Sequence, residues 1–185
     1  MRAFTLGEVL IVVSIIMIIG SIGMINFSLA FQKSNLKIGL NQLSQEIEKM
    51  RNYSLVFLSN QIPPPKGYGI EIQKNAKSYF IFNDENGNGK REAGETFEKK
   101  DLPSKVEISE IEIKKKDGTS LNSNTLYIVF FPPYPKVEVR TPASSEAISD
   151  WKFVRIQVKI ENKTCPKWCK AVSYTHLTLP TTERV

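Results

Sequence analysis

Hydrophobic and polar positions fall into three regimes along the chain. From Val9 to Gln32 there is no charged residue. A run of about 20 mostly apolar residues is long enough for one helical crossing of a bilayer core. Leu36, Leu40, Leu43, Ile47, Met50 and Phe57 then follow at steps of four, three, four, three and seven. That is the period of a helix with one apolar face. Lys33, Lys37, Glu46, Glu48, Lys49 and Arg51 supply its polar side. Together these stretches predict one helix from about Phe4 to Asn60, roughly 85 Å long at the helical rise per residue. Its first half is apolar nearly all round and its second half is amphipathic. Pro63-Pro64-Pro65 ends it, because proline removes a donor and clashes with the preceding turn.

Beyond the prolines the period shortens to two, the signature of strands. Tyr68, Ile70 and Ile72 alternate with Gly69 and Glu71, and Lys74-Asn75-Ala76-Lys77 reads as a turn. Further strands are predicted over 78–83, 106–114, 126–131, 137–140 and 151–160. Strands that follow one another without intervening helices imply an antiparallel sheet.

Glu8 is the single charge at the head of the apolar run. A carboxylate inside lipid is costly unless it finds a partner, which marks it as a functional residue. It lies in Phe4-Thr5-Leu6-Gly7-Glu8, after the short basic leader Met1-Arg2-Ala3. This segment resembles the class III leader of type IV pilins and type II secretion pseudopilins. It departs from that pattern at Ala3, where glycine is usual, and at Gly7, where a bulky aliphatic residue is usual. The resemblance implies cleavage between Ala3 and Phe4 by a prepilin peptidase and N-methylation of Phe4. It also implies pairing of Glu8 with the free amine of a neighbouring subunit, which would set the register of assembly. The implied fold is α+β and pilin-like: one long N-terminal helix, transmembrane in its first half, packed on an antiparallel β-sheet head. Residues 1–3 would be the leader, 4–32 the transmembrane or filament-core half, 33–60 the amphipathic half and 61–171 the head. The implied location is a bacterial inner membrane, single pass, with the head outside the cytoplasm, and then a pilus or pseudopilus. Leu102-Pro103-Ser104 and the stretch 130–139 give the head a fainter resemblance to minor pilins and H-type pseudopilins. Two other readings of the apolar run stand beside this one. It is an ordinary anchor with Glu8 at headgroup level, or a secretory signal with Ser28-Leu29-Ala30 as its cleavage site.

Asp84-Glu85-Asn86-Gly87-Asn88-Gly89-Lys90-Arg91-Glu92-Ala93-Gly94-Glu95 fits the calcium-loop pattern D-x-[DN]-x-[DN]-G-x5-E. The pattern casts Asp84, Asn86 and Asn88 as side-chain ligands, the Lys90 carbonyl as another and Glu95 as the closing carboxylate. Glu92 would act directly or through water. Calcium is the one cofactor the sequence suggests. A strand rather than a helix precedes the loop, and Arg91 takes a place usually held by an aliphatic residue. The alternative is a polar Asn/Gly turn between strands, since these residues dominate turns.

The net charge is +6, with two cysteines and one histidine in 185 residues. The excess is scattered, so a solvated surface is favoured and nucleic-acid binding is a weaker alternative. Cys165 and Cys169 are separated by three residues. Outside the cytosol they would favour a small loop disulfide; free thiols and other pairings are the alternatives. Val172 to Thr181 back-translates into a transposase-type sequencing-library adapter. The segment 172–185, with His176, is therefore read as a non-native tail, the alternative being a natural polar tail. Without that histidine no Ser-His-Asp or Cys-His set exists, and no phosphate-cradling glycine loop is present. The chain is not read as an enzyme. The expected function is that of a structural subunit, a minor pilin or pseudopilin, with other subunits, the prepilin peptidase and the inner membrane as partners. The alternatives are a DNA-binding minor pilin of a DNA-uptake system and a non-polymerising, membrane-anchored calcium-binding domain.

Overall fold

The computed structural model describes residues 5–56, 64–132, 136–144, 146–161 and 170–175. A helix, α1, runs Leu6–Val56. Among the described residues nine strands follow: β1 (Gly67–Gln73), β2 (Ser78–Asp84), β3 (Thr96–Asp101), β4 (Val106–Lys115), β5 (Ser120–Asn122), β6 (Thr125–Phe131), β7 (Lys136–Arg140), β8 (Trp151–Ile160) and β9 (Lys170–Thr175). They form two antiparallel sheets, β3-β2-β1-β6-β7 and β5-β4-β8-β9.

This overturns the predicted fold class. Among the described residues no helix is long and apolar enough to cross a membrane. Small and polar residues, Gly7, Ser14, Gly20 and Ser21, lower the hydropathy of the described part of the apolar run, Leu6 to Ser21. The chain is mostly antiparallel sheet, and that sheet is divided in two rather than continuous. The single-pass inner-membrane location falls with the same finding, since it needed a membrane-crossing helix.

The second half of α1 touches both sheets. Leu36, Leu43, Ile47 and Met50 are buried in one cluster with Ile70, Ile72, Tyr79 and Ile81 of the first sheet. Ile108, Ile113, Val154 and Ile156 of the second sheet join the same cluster. Tyr53 meets Tyr68 edge to face, ring centroids 5.9 Å apart. The inward set of β4 changes phase: Val106 and Ile108 are buried, then Ile111 and Ile113. A bulge between Ile108 and Glu110 accounts for this odd step. An extra residue in one strand shifts which side chains face the core. Here it is Ser109, whose hydroxyl donates to the Gln157 carbonyl at 3.1 Å.

β9 runs into the residues read as a non-native tail and pairs with β8 from Val154 to Lys159. Ladder pairing is made by backbone groups, so an open strand edge accepts almost any extended segment.

The turn into β4 holds Lys105 at a φ of 65°, in the left-handed region. Its carbonyl accepts from the Glu161 amide at 2.8 Å, which fixes the conformation. A side chain there costs on the order of 1 kcal/mol, part of which glycine would offset through its own chain entropy. Lys105→Gly is therefore expected to raise Tm by about 2 °C in a thermal melt. A lower Tm would show that this turn is not under strain.

Candidate functional site

Two places carry the predicted site residues: the start of α1 and the loop after β2. At the helix start Thr5 and Glu8 form a capping box. The Thr5 amide and hydroxyl donate to Glu8 Oε2 at 2.9 and 3.0 Å, and the Glu8 amide donates to Thr5 Oγ1 at 3.4 Å. The first amides of a helix lack partners within it, and this exchange supplies two of them. The box T-x-x-E is readable in the sequence as a helix start. The carboxylate is exposed and already accepts two local hydrogen bonds. Ala3 and Phe4 lie outside the described residues. Every large apolar side chain from Leu6 to Ile19 is exposed, Ile16 by 63%. Ser14 and Ser21 return their hydroxyls to the Leu10 and Met17 carbonyls at 2.8 and 2.7 Å. These polar groups are thus satisfied without outside partners.

The loop after β2 folds around Asp84, which is fully buried. Asp84 Oδ1 accepts from the amides of Gly87 and Asn88 at 2.6 and 3.1 Å, and Oδ2 accepts from the Gly89 amide at 2.8 Å. Glu95, 7% exposed, closes the far side. Its carboxylate accepts from the Glu85 and Glu92 amides at 3.3 and 2.9 Å. Asn86 Oδ1 accepts from the Asn88 amide, and Asn88 Oδ1 from the Lys90 amide, both at 2.8 Å. Asn88 Nδ2 donates to Glu92 Oε1 at 2.6 Å. The structure therefore brings the predicted calcium ligands into one loop, but turns their side-chain oxygens onto the loop's own donors. Lys90 reaches instead toward the Pro142 carbonyl with Nζ, at 3.5 Å. Among the described residues no group of three or more His, Cys, Asp or Glu is placed to hold a metal ion. Gly89 has a φ of +70°, and a Cβ there would sit 2.4 Å from Arg140 Nε. The turn's left-handed backbone favours glycine at this position, and any side chain would also make Arg140 shift.

Arg91 ties this loop to the sheet. Its guanidinium pairs with Glu71 of β1, which is 2% exposed, and lies 4.3 Å from the Phe80 ring centroid. Gln73 Nε2 donates to the same carboxylate at 2.6 Å. Burial raises the Tyr127 hydroxyl above its ordinary pKa; the Glu71 charge adds to this and Arg91 opposes it. Neither Glu71 nor Arg91 was singled out as a pair from the sequence. The one available signal was a charge on β1 among Gly67, Tyr68, Gly69 and Ile70. On β7, burial alone would raise the Glu138 carboxyl, but Lys136 and Arg140 outweigh it and hold the group below its usual range. Cys165 and Cys169 lie outside the described residues. Compared with protein-family models, with curated proteins and with solved structures, the chain shows no match.

Proposed function

We propose that the chain is a structural subunit of a filament of the type IV pilin or type II secretion pseudopilin kind, held to its neighbours through the first half of α1. One observation carries this reading: the apolar side chains from Leu6 to Ile19 stand exposed on a helix whose later turns are buried against the head. An exposed apolar surface of this extent marks an interaction site. A second copy presents an equally long, capped helix, and side-by-side packing would cover both. The resemblance of Phe4 to Glu8 to the prepilin segment supports the same conclusion, with cleavage before Phe4 as the step that readies the subunit.

The test is assembly of the purified full chain after detergent removal, followed by sedimentation and electron microscopy. Fibres of uniform width are expected, and Ile16→Glu should leave most of the protein in the supernatant while the head's circular dichroism is unchanged. Irregular aggregates alone, or equal sedimentation of the two proteins, would overturn the proposal. Glu8→Gln keeps an acceptor for the Thr5 cap and removes the charge. A loss of fibres in this variant assigns the charge itself to assembly. Co-expression with a prepilin peptidase should yield an N-terminal peptide beginning at methylated Phe4; an intact leader would remove processing from the reading.

A further inference from the structure

The loop after β2 contains Asn86-Gly87 and Asn88-Gly89, two Asn-Gly pairs within four residues. Asparagine is a thermolabile residue, and its usual route of decay begins at the amide of the next residue. That backbone nitrogen loses its proton and attacks the side-chain Cγ. The C–N bond to the side-chain amide breaks, ammonia leaves, and a five-membered imide forms. Water then opens the ring at either carbonyl, giving aspartate or its isoaspartyl isomer. Glycine as the following residue offers the least steric hindrance to the attack.

We propose that Asn86 and Asn88 are deamidation sites held in check by Asp84. The two attacking nitrogens are those of Gly87 and Gly89, and both N–H groups are donated to the one buried carboxylate, at 2.6 and 2.8 Å. Each N–H points at Asp84 rather than leaving its nitrogen to face Cγ. The fixed negative charge also opposes removal of the proton, since like charges disfavour one another at short range. The Asn86 and Asn88 oxygens are further held by the amides of Asn88 and Lys90. Reaction therefore waits on local opening of the loop, and its rate is the open fraction times the rate in unfolded chain. Conversion at Asn88 has a structural consequence. Its Nδ2 now donates to Glu92 Oε1; after conversion a carboxylate would face that carboxylate. The product would resist reclosing, so that one chemical event makes a transient opening lasting.

Purified full chain is incubated at mildly alkaline pH, native and in urea, and both positions are followed by peptide mapping with mass spectrometry. Deamidation in the native protein is expected to be at least about tenfold slower at each site. Hydrogen exchange of the Gly87 and Gly89 amides in the same native sample should show protection of similar size. Equal rates in native protein and urea overturn the proposal. So does slow deamidation with unprotected glycine amides, because Asp84 would then not be the restraint. Asp84→Asn, where it folds by circular dichroism, should deamidate faster than the parent at both sites. An unchanged rate in that folded variant also overturns the role given to Asp84.

Discussion

Arg91→Ala is expected to destabilise the protein by about 3 kcal/mol, because it removes the cation from a buried carboxylate and leaves the charge behind. Glu71 is 2% exposed and Arg91 is its ion-pair partner across the loop. Stacking of the guanidinium on Phe80, at 4.3 Å, is lost in the same change. The remaining hydrogen bond from Gln73 offsets part of the cost. A loss of this size lowers Tm by roughly 9 °C in a domain of this length. The partner change decides the cause. Arg91→Ala combined with Glu71→Gln should recover much of the loss, since the uncompensated charge is gone, and the double-mutant cycle reads the coupling directly. If Arg91→Ala melts within about 2 °C of the parent, the pair is not a determinant of stability.

Asp84→Ala is expected to cost about as much, but with a different signature. Three bonds to Asp84 are lost together: the Gly87 and Gly89 amides lose this acceptor, while the Asn88 amide keeps Asn86 Oδ1 at 2.8 Å. A buried donor left without a partner costs about 1–3 kcal/mol. The Gly89 bond is buried, and the other two are only partly so. Water will reach some of these groups as the loop opens, so the net penalty should settle near 3 kcal/mol. Hydrogen exchange separates this from a global effect: protection should vanish over 85–95 while β1 and β6 keep theirs. Uniform loss across both sheets would mean that Asp84 supports the whole head rather than its own loop.

Parts of this architecture were legible because they rest on local periodicity. Tyr68, Ile70 and Ile72 alternate on β1, and Leu36, Leu43, Ile47 and Met50 keep the helical step on α1. The division into two sheets was not legible. It depends on β6 pairing with β1 rather than with β4 or β5, a choice made across more than fifty residues. β3 is an edge strand whose last four residues are Glu98-Lys99-Lys100-Asp101, and β5 is three residues of exposed chain. Charged and short edges protect a sheet from further pairing and hide it from pattern reading for the same reason. The loop after β2 was legible only in part. Its spacing was legible, but the hydrogen bonds its oxygens accept from the loop's own amides were not, because they depend on the backbone conformation of the turn. The Glu71–Arg91 pair joins residues twenty positions apart, and neither carries a local mark of the other.

If the filament reading proposed above holds, the capping box at the start of α1 bears on the order of events in assembly. Both of its members, Thr5 and Glu8, lie on the helix side of the junction between Ala3 and Phe4. A protease cutting at that junction would leave every one of these contacts in the product. Loss of residues 1–3 would then leave the cap of the helix in place. A neighbour's amine arriving at Glu8 would find a carboxylate already oriented by Thr5, and would join that arrangement rather than create it.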